Sequence, residues 1–146
     1  MTEDSIRQLL ATFYSPDFGL QNAIDLVGPV ADRSRKGFCV LAPQDSSITY
    51  SHLELLDGPP PGEPFFSGWV LRFRDPVPID LAPLESRYGR PREMPRLHPD
   101  QPVPLQFLVP AGAGFEGAFI LNVEQQAPAS QRLLSQLVLQ RYPRNR

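Results

Sequence analysis

The chain has 146 residues, of which 41% are hydrophobic and 10% aromatic, so it can bury the core of one domain. Its formal net charge of -2 disfavours a nucleic-acid-binding protein, which usually carries a basic patch. The first residues are acidic where a signal peptide is basic, and no apolar run is long enough to span a bilayer. We therefore expect one cytoplasmic domain over residues 1–146, with neither nucleic acid nor membrane as a partner.

Two helices are predicted at the start of the chain. Thr2 is suited to cap the first, whose apolar positions have i, i+3, i+4, i+7 spacing: Ile6, Leu9, Leu10 and Phe13. The second helix covers residues 20–27 and ends at Gly28, which is followed by proline. The fold is therefore expected to open with a helical pair.

Strand patterns follow the two helices. Apolar runs at 38–42 and 48–56 are separated by turn-forming residues at 43–47, which predicts a hairpin. The glycine- and proline-rich stretch 57–64 predicts a loop. These features predict the first antiparallel pair of a sheet.

The next strand is predicted from strict alternation. Trp69 and Phe73 fall on one face of an extended run that includes Phe65 and Leu71, while Arg72 and Arg74 fall on the other. We expect Trp69 and Phe73 to be buried and the two arginines to be exposed. The segment 75–78, with two prolines, is expected to end this strand.

The sequence of the second helix is then repeated, in similar form, later in the chain. Residues 20–28 resemble residues 81–89, so that Leu20 corresponds to Leu81 and Gly28 to Gly89. Each copy is a short amphipathic stretch that ends at a glycine, with a proline one or two residues later. A helix over 81–88 is therefore predicted. We interpret this repetition as an internal duplication.

The remainder of the chain predicts a loop, a hairpin and one ambiguous segment. Residues 90–104 carry five prolines and little hydrophobic pattern, as a long loop does. Alternation over 103–109 and 115–123, around a turn at 110–114, predicts a second hairpin. For residues 131–141 the leucine spacing favours a helix, with a final strand as the alternative.

These elements together predict an α+β fold. Its two related halves, residues 15–74 and 76–146, would each place a helix before antiparallel strands and share one core.

Tests for catalytic chemistry give little. The chain has two histidines, His52 and His98, and one cysteine, Cys39, with no pair at metal-ligand spacing. No nucleophile elbow and no phosphate-binding glycine loop is present. We therefore expect no cofactor, no metal and no catalytic residues.

One alternative keeps an enzyme or small-ligand binder open. Tyr50, His52 and Glu54 recur at every second position, so they share one face of a strand. An imidazole beside a carboxylate could serve as a general base with its orienting acid. A solvated polar face is the simpler explanation of the same pattern.

Charged residues form two clusters. The expected partner-binding residues are four arginines within ten positions and two acids of the earlier hairpin: Arg87, Arg90, Arg92, Arg96, Asp57 and Glu63. Such charges mainly accelerate the encounter with an oppositely charged partner and set its specificity. The alternative is a solvated surface with local ion pairs of little energetic value.

The repeated unit of helix, glycine-proline stop and strands resembles the tandem layout of the beta-lactamase inhibitor proteins. A single unit resembles the small lipoprotein of the outer-membrane barrel-assembly machinery. Residues 81–91 are also similar to a phrase that recurs in bacterial immunity proteins. The chain has neither the paired disulfides of the inhibitors nor a lipoprotein signal, so the resemblance implies only an architecture and a binding role.

The resulting expectation is a small cytoplasmic protein-binding module, such as a bacterial immunity or inhibitor protein that neutralises a toxin or enzyme by direct contact. The alternatives are the enzyme or ligand binder just described, and an assembly-factor domain whose loop 90–104 docks on a larger complex.

Overall fold

The computed structural model describes residues 1–57, 62–112, 115–124 and 131–143. Its elements, in chain order, are α1 (Glu3–Phe13), α2 (Leu20–Leu26), β1 (Val30–Asp32), β2 (Phe38–Leu41), β3 (Ile48–Asp57), β4 (Pro64–Ile79), α3 (Ala82–Tyr88), β5 (Arg92–Glu93), β6 (Val103–Gly112), β7 (Phe115–Val123) and β8 (Arg132–Pro143). The strands form one antiparallel sheet in the order β1-β2-β3-β4-β8-β7-β6-β5. The predicted mixture of helices and antiparallel sheet is confirmed for these residues.

The core lies between one face of the sheet and the three helices. A row of neighbours in register crosses six strands with at most 1% exposure each: Cys39, Leu53, Trp69, Leu139, Phe119 and Phe107. The apolar face of α1 is equally buried, at Ile6, Leu9, Leu10 and Phe13. Removing an apolar side chain of this size from water contributes about 1.5–3 kcal/mol, so this layer is the main source of stability.

The helix ends follow from local chemistry. The Thr2 hydroxyl accepts a hydrogen bond from the Ser5 amide at 3.2 Å and caps α1 as predicted. The two glycines of the repeated motif are required for different reasons. Gly89 ends α3 with φ of 87°, which favours glycine. A Cβ on Gly28 would lie 1.8 Å from the Ala42 carbonyl oxygen, so only glycine allows these backbones to meet.

Both hairpins form where they were predicted. β2 pairs with β3 and β6 pairs with β7. Of the predicted turn 110–114, however, residues 110–112 belong to β6, and residues 113–114 lie outside the described part of the chain. The alternation in β4 is also confirmed, since Trp69 and Phe73 are buried while Arg72 and Arg74 are exposed. Residues 58–61 of the predicted loop 57–64 lie outside the described residues, and Asp57 and Pro64 belong to strands.

The prediction of a helix over 131–141 is wrong, because this segment is β8. β8 pairs with β4 on one side and β7 on the other, so it lies at the centre of the sheet. The run Leu137-Val138-Leu139 has apolar side chains on both faces, as central strands often do. Its leucine spacing matched a helix only because register shifts interrupt the alternation near Leu134.

The prediction that residues 75–78 end the preceding strand is also wrong, because β4 continues to Ile79. The ladder between β3 and β4 stops at the Ile48–Phe73 pair, so Pro76 and Pro78 lie where β4 is paired only with β8. A proline is tolerated in a strand segment with one free side, since no ladder hydrogen bond is lost there. A register shift between Arg72 and Val77 accommodates the prolines.

The short edge strands β1 and β5 were not predicted. β5 lies inside the predicted loop 90–104, where Arg92 pairs with Gln106 of β6. Residues 90–91 and 94–102 of that segment are loop, as expected, whereas Val103 and Pro104 already belong to β6.

Candidate functional site

The second face of the sheet carries no helix of the described chain. Side chains on successive strand positions point to opposite faces, so the neighbours of the buried row belong to this second face. We call it the open face and define it by three cross-strand rows: Tyr50, Arg72, Gln136 and Asn122; Val40, His52, Val70, Val138, Ile120 and Gln106; Phe38, Glu54, Gly68, Gln140, Ala118 and Leu108. The face spans strands β2 to β6.

The open face has an apolar centre and a polar surround. Val40, Val138 and Ile120, which are partly exposed, form the centre with Val70, which is 9% exposed, and at the β6 end Leu108 is 67% exposed. Amides flank this row, and the Asn122 amide nitrogen donates to the Gln136 side-chain oxygen at 3.1 Å. An apolar centre with few charges and a polar rim is the usual composition of a protein–protein interface.

A hydrogen-bonded line of side chains lies at the β3 end of the open face. The His52 Nδ1 atom is 2.9 Å from the Tyr50 hydroxyl, and its Nε2 atom is 3.3 Å from Glu54 Oε1. The Phe38 ring lies beside the imidazole at 5.4 Å between centroids, and the Arg72 guanidinium lies 5.1 Å from the centroid of Tyr50. The structure therefore brings together all three residues of the enzyme alternative.

This geometry gives both nitrogens of His52 a partner. The Tyr50 hydroxyl faces one nitrogen and the Glu54 carboxylate faces the other, so the imidazole lies between a hydroxyl and a carboxylate of its own strand. The His52 side chain is 13% exposed and that of Glu54 is 42% exposed. The line is best described as a rigid polar patch that fixes three neighbouring side chains.

Two of the predicted partner-binding arginines lie on the side of the open face. Arg92 is opposite Gln106 and extends the central row to the sheet edge. Arg96 lines a cavity of about 310 Å³ with Asn122 and Gln136. Its Nη1 atom donates to the carbonyl oxygens of Pro99 and Gln101, at 3.2 and 3.1 Å, so Arg96 stabilises its own loop.

The other two arginines lie elsewhere. Arg87 is on α3, in a groove of the helix layer, with its guanidinium 5.5 Å from the centroid of the Tyr88 ring. Arg90 is exposed just after Gly89, between α3 and β5. The four arginines therefore wrap around the β5 edge of the sheet and do not form one surface.

The predicted acidic residues form a separate region. Asp57 ends β3 opposite Pro64 and is exposed, as is Glu63. Four strands separate β3 from β5 in the sheet, which corresponds to about 24 Å at the usual strand spacing. The acids and the arginines therefore constitute two charged regions at a distance from each other.

Sequence reasoning missed the role of Arg141, the one buried charged side chain among the described residues, with 5% exposure. Its guanidinium donates to the carbonyl oxygens of Phe66 at 2.8 Å and Phe13 at 3.1 Å. Four phenylalanine rings surround it, with centroids 4.8–5.5 Å away: Phe13, Phe18, Phe65 and Phe115. Burial lowers the pKa of Arg141 to about 10. If residues 131–141 had been predicted as a strand, the alternation of Leu137, Leu139 and Arg141 would have indicated that Arg141 lies on the buried face.

Comparison with protein-family models, with curated proteins and with solved structures finds no match for this chain. Within the described ranges, no group of three or more histidine, cysteine, aspartate or glutamate side chains could hold a metal ion.

None of the helices in the described part of the chain has the length and apolar character that crossing a membrane requires.

Proposed function

We propose that the protein is a small protein-binding module that docks through the open face. The observation that carries this proposal is the division of the sheet: one face packs on three helices, while the other presents an apolar central row with amide and charged side chains in the two rows beside it. Side chains on a sheet are already restricted by their neighbours, so less conformational entropy is lost when a partner covers them.

Two exposed arginines on the side of the open face support a role in directing encounter. Arg72 lies on the interior strand β4 and Arg92 on the edge strand β5, and such charges accelerate association with an acidic partner. We propose that the partner is a toxin or enzyme neutralised by direct covering of its surface, as an immunity or inhibitor protein does. The proposed setting is the bacterial cytoplasm.

We also propose that the open face is assembled from two related halves, residues 15–74 and 76–146, with α1 and α2 as a helical pair at the start. In support, α2 and α3 each precede a short edge strand and three further strands. The sheet order then runs inward from β1 to β4 and outward from β8 to β5. The boundary falls inside β4, so a continuous strand joins the halves.

Replacing Val138 by lysine tests the docking proposal. Val138 is at the middle of the open face, so a charge there should weaken binding of the partner at least tenfold, because an unpaired charge would be desolvated in the interface. The partner is first isolated from native extract and identified by mass spectrometry, and its affinity is then measured with purified components.

Gln21→Lys provides the matched control. Gln21 is exposed on α2, on the opposite side of the sheet, so this variant should keep the affinity of the wild type. Equal affinity of V138K and wild type would exclude the open face as the docking site.

The hydrogen-bonded line gives a second candidate function, an enzyme in which His52 acts as a general base oriented by Glu54. The variant His52→Ala separates the two candidates. Because His52 is itself part of the open face, the two candidates are separated by turnover and not by partner binding: under the enzyme candidate the wild type turns over a substrate found by activity screening and H52A does not, whereas under the docking proposal neither protein shows turnover.

A further inference from the structure

A groove between α1 and α3 lies on the helix-covered side of the sheet, away from the open face. It has a volume of about 390 Å³, within the usual range of small-ligand clefts. Besides Arg87, the residues that line it are Leu10, Ala11, Tyr14, Tyr88, Val109 and Pro110, of which Leu10 is only 1% exposed. Arg87 is the one charged residue among those that line it.

The two aromatic walls of the groove are held in place. The Tyr14 hydroxyl donates to the Ala118 carbonyl oxygen at 2.7 Å and accepts from the Gln140 amide at 3.3 Å. The Tyr88 ring packs edge-on against Phe119, with centroids 5.1 Å apart. Both rings are therefore fixed before any ligand arrives, which reduces the entropy lost on binding.

The depth of the groove depends on a missing side chain in β7. A Cβ on Gly117 would lie 2.6 Å from the Tyr14 ring and 3.2 Å from the Val109 Cβ atom. Because Gly117 has no side chain, the Tyr14 ring can lie directly against the sheet. The shape of the groove therefore depends on how α1 packs on β7.

The groove carries a positive charge that no neighbouring carboxylate neutralises among the described residues. Arg87 is exposed, and among the described residues no carboxylate lies within ion-pair distance of its guanidinium. Its guanidinium contacts the Tyr88 ring, with 5.5 Å to the ring centroid, which leaves the planar donor edge of the guanidinium available to hydrogen-bond a carboxylate. A single cation beside two tyrosine rings suits a ligand that has one negative group and a body able to pack against those rings.

We propose that this groove binds a small monocarboxylate with an apolar body, the carboxylate pairing with Arg87 and the body lying between Tyr14 and Tyr88. This inference goes beyond the proposed docking function and does not depend on it, since the two sites are on opposite sides of the sheet.

The test titrates the ¹⁵N-labelled protein with octanoate below its micellar concentration, and in parallel with 1-octanol and octylammonium. Octanoate should shift the amide signals of Ala11, Tyr88 and Val109. Because a charge-assisted hydrogen bond contributes to its affinity, 1-octanol should bind about tenfold more weakly and octylammonium more weakly still.

Three variants complete the experiment. Arg87→Gln should weaken octanoate binding about tenfold, and Arg90→Gln, which removes a neighbouring exposed arginine that does not line the groove, should leave it unchanged. Ala11→Leu should block the groove from the exposed side of α1. Equal affinity of R87Q and wild type, shifts on other parts of the molecule, or an absence of octanoate binding would each overturn the proposal.

Discussion

Replacing Arg141 by alanine should lower the free energy of unfolding by about 3 kcal/mol. The substitution removes the donors that satisfy the buried carbonyl oxygens of Phe13 and Phe66, and such unsatisfied groups cost about 1–3 kcal/mol each. It also empties the space between four phenylalanine rings. Urea unfolding followed by circular dichroism measures the difference.

Two further variants show that the loss comes from this position. Arg141→Lys keeps the charge but has fewer donors, so it should recover less than half of the loss. Arg72→Ala removes an exposed arginine from β4 and should change stability by no more than about 0.5 kcal/mol. If R141A unfolds at the same urea concentration as R72A, Arg141 does not hold α1 to the sheet.

Truncation of Trp69 to alanine should be the most destabilising change in the core, with a loss of about 4 kcal/mol. Trp69 is 0% exposed, lies at the centre of the buried row, and contacts Phe13 and Phe18 of the helix layer. Its indole nitrogen also donates to the buried Ser51 hydroxyl at 2.9 Å. The same urea measurement applies.

The intermediate variant Trp69→Phe separates volume from hydrogen bonding. It keeps most of the apolar contact but leaves the Ser51 hydroxyl without its donor, so a loss of about 1–2 kcal/mol is expected. Leu97→Ala is the matched surface control, because Leu97 is 90% exposed. A loss below about 1 kcal/mol for W69A would mean that the register of β4 is misassigned.

Local patterns predicted most of the fold. Thr2 before an amphipathic stretch predicted α1, the motif copies predicted α2 and α3, and alternation predicted the buried side of β4 at Trp69 and Phe73. In each case the signal is contained in a window of about ten residues. Such signals need no knowledge of the partners that an element will meet.

The incorrect predictions concern segments whose structure depends on the neighbouring strands of the sheet. The strand β8 is specified by pairing with β4 and β7, which a window over 131–141 does not contain. A register shift near Glu54 passes over Ser67, so Phe66 is 6% exposed, whereas Phe65, predicted on the buried face, is only partly buried. Shifts of this kind depend on two strands at once.

For the candidate sites, too, the sequence predicted contacts within one strand but not the arrangement of residues across several strands. The line Tyr50, His52 and Glu54 could be predicted because its residues alternate along one strand. The spacing of the arginines could not reveal that Arg87 and Arg96 lie on opposite sides of the sheet. The open face is formed by rows across six strands, β2, β3, β4, β8, β7 and β6, so it combines residues from 38 to 140 of the chain.

The most direct test of the docking proposal is methyl cross-saturation in the complex. The protein is deuterated and methyl-labelled, the identified partner is irradiated, and the methyl signals that lose intensity mark the contact surface. The proposal predicts losses at Val70, Val138 and Ile120, the apolar centre of the open face. Losses at Ala11 and Leu20 on the helix layer, with the open-face valines unaffected, would contradict it.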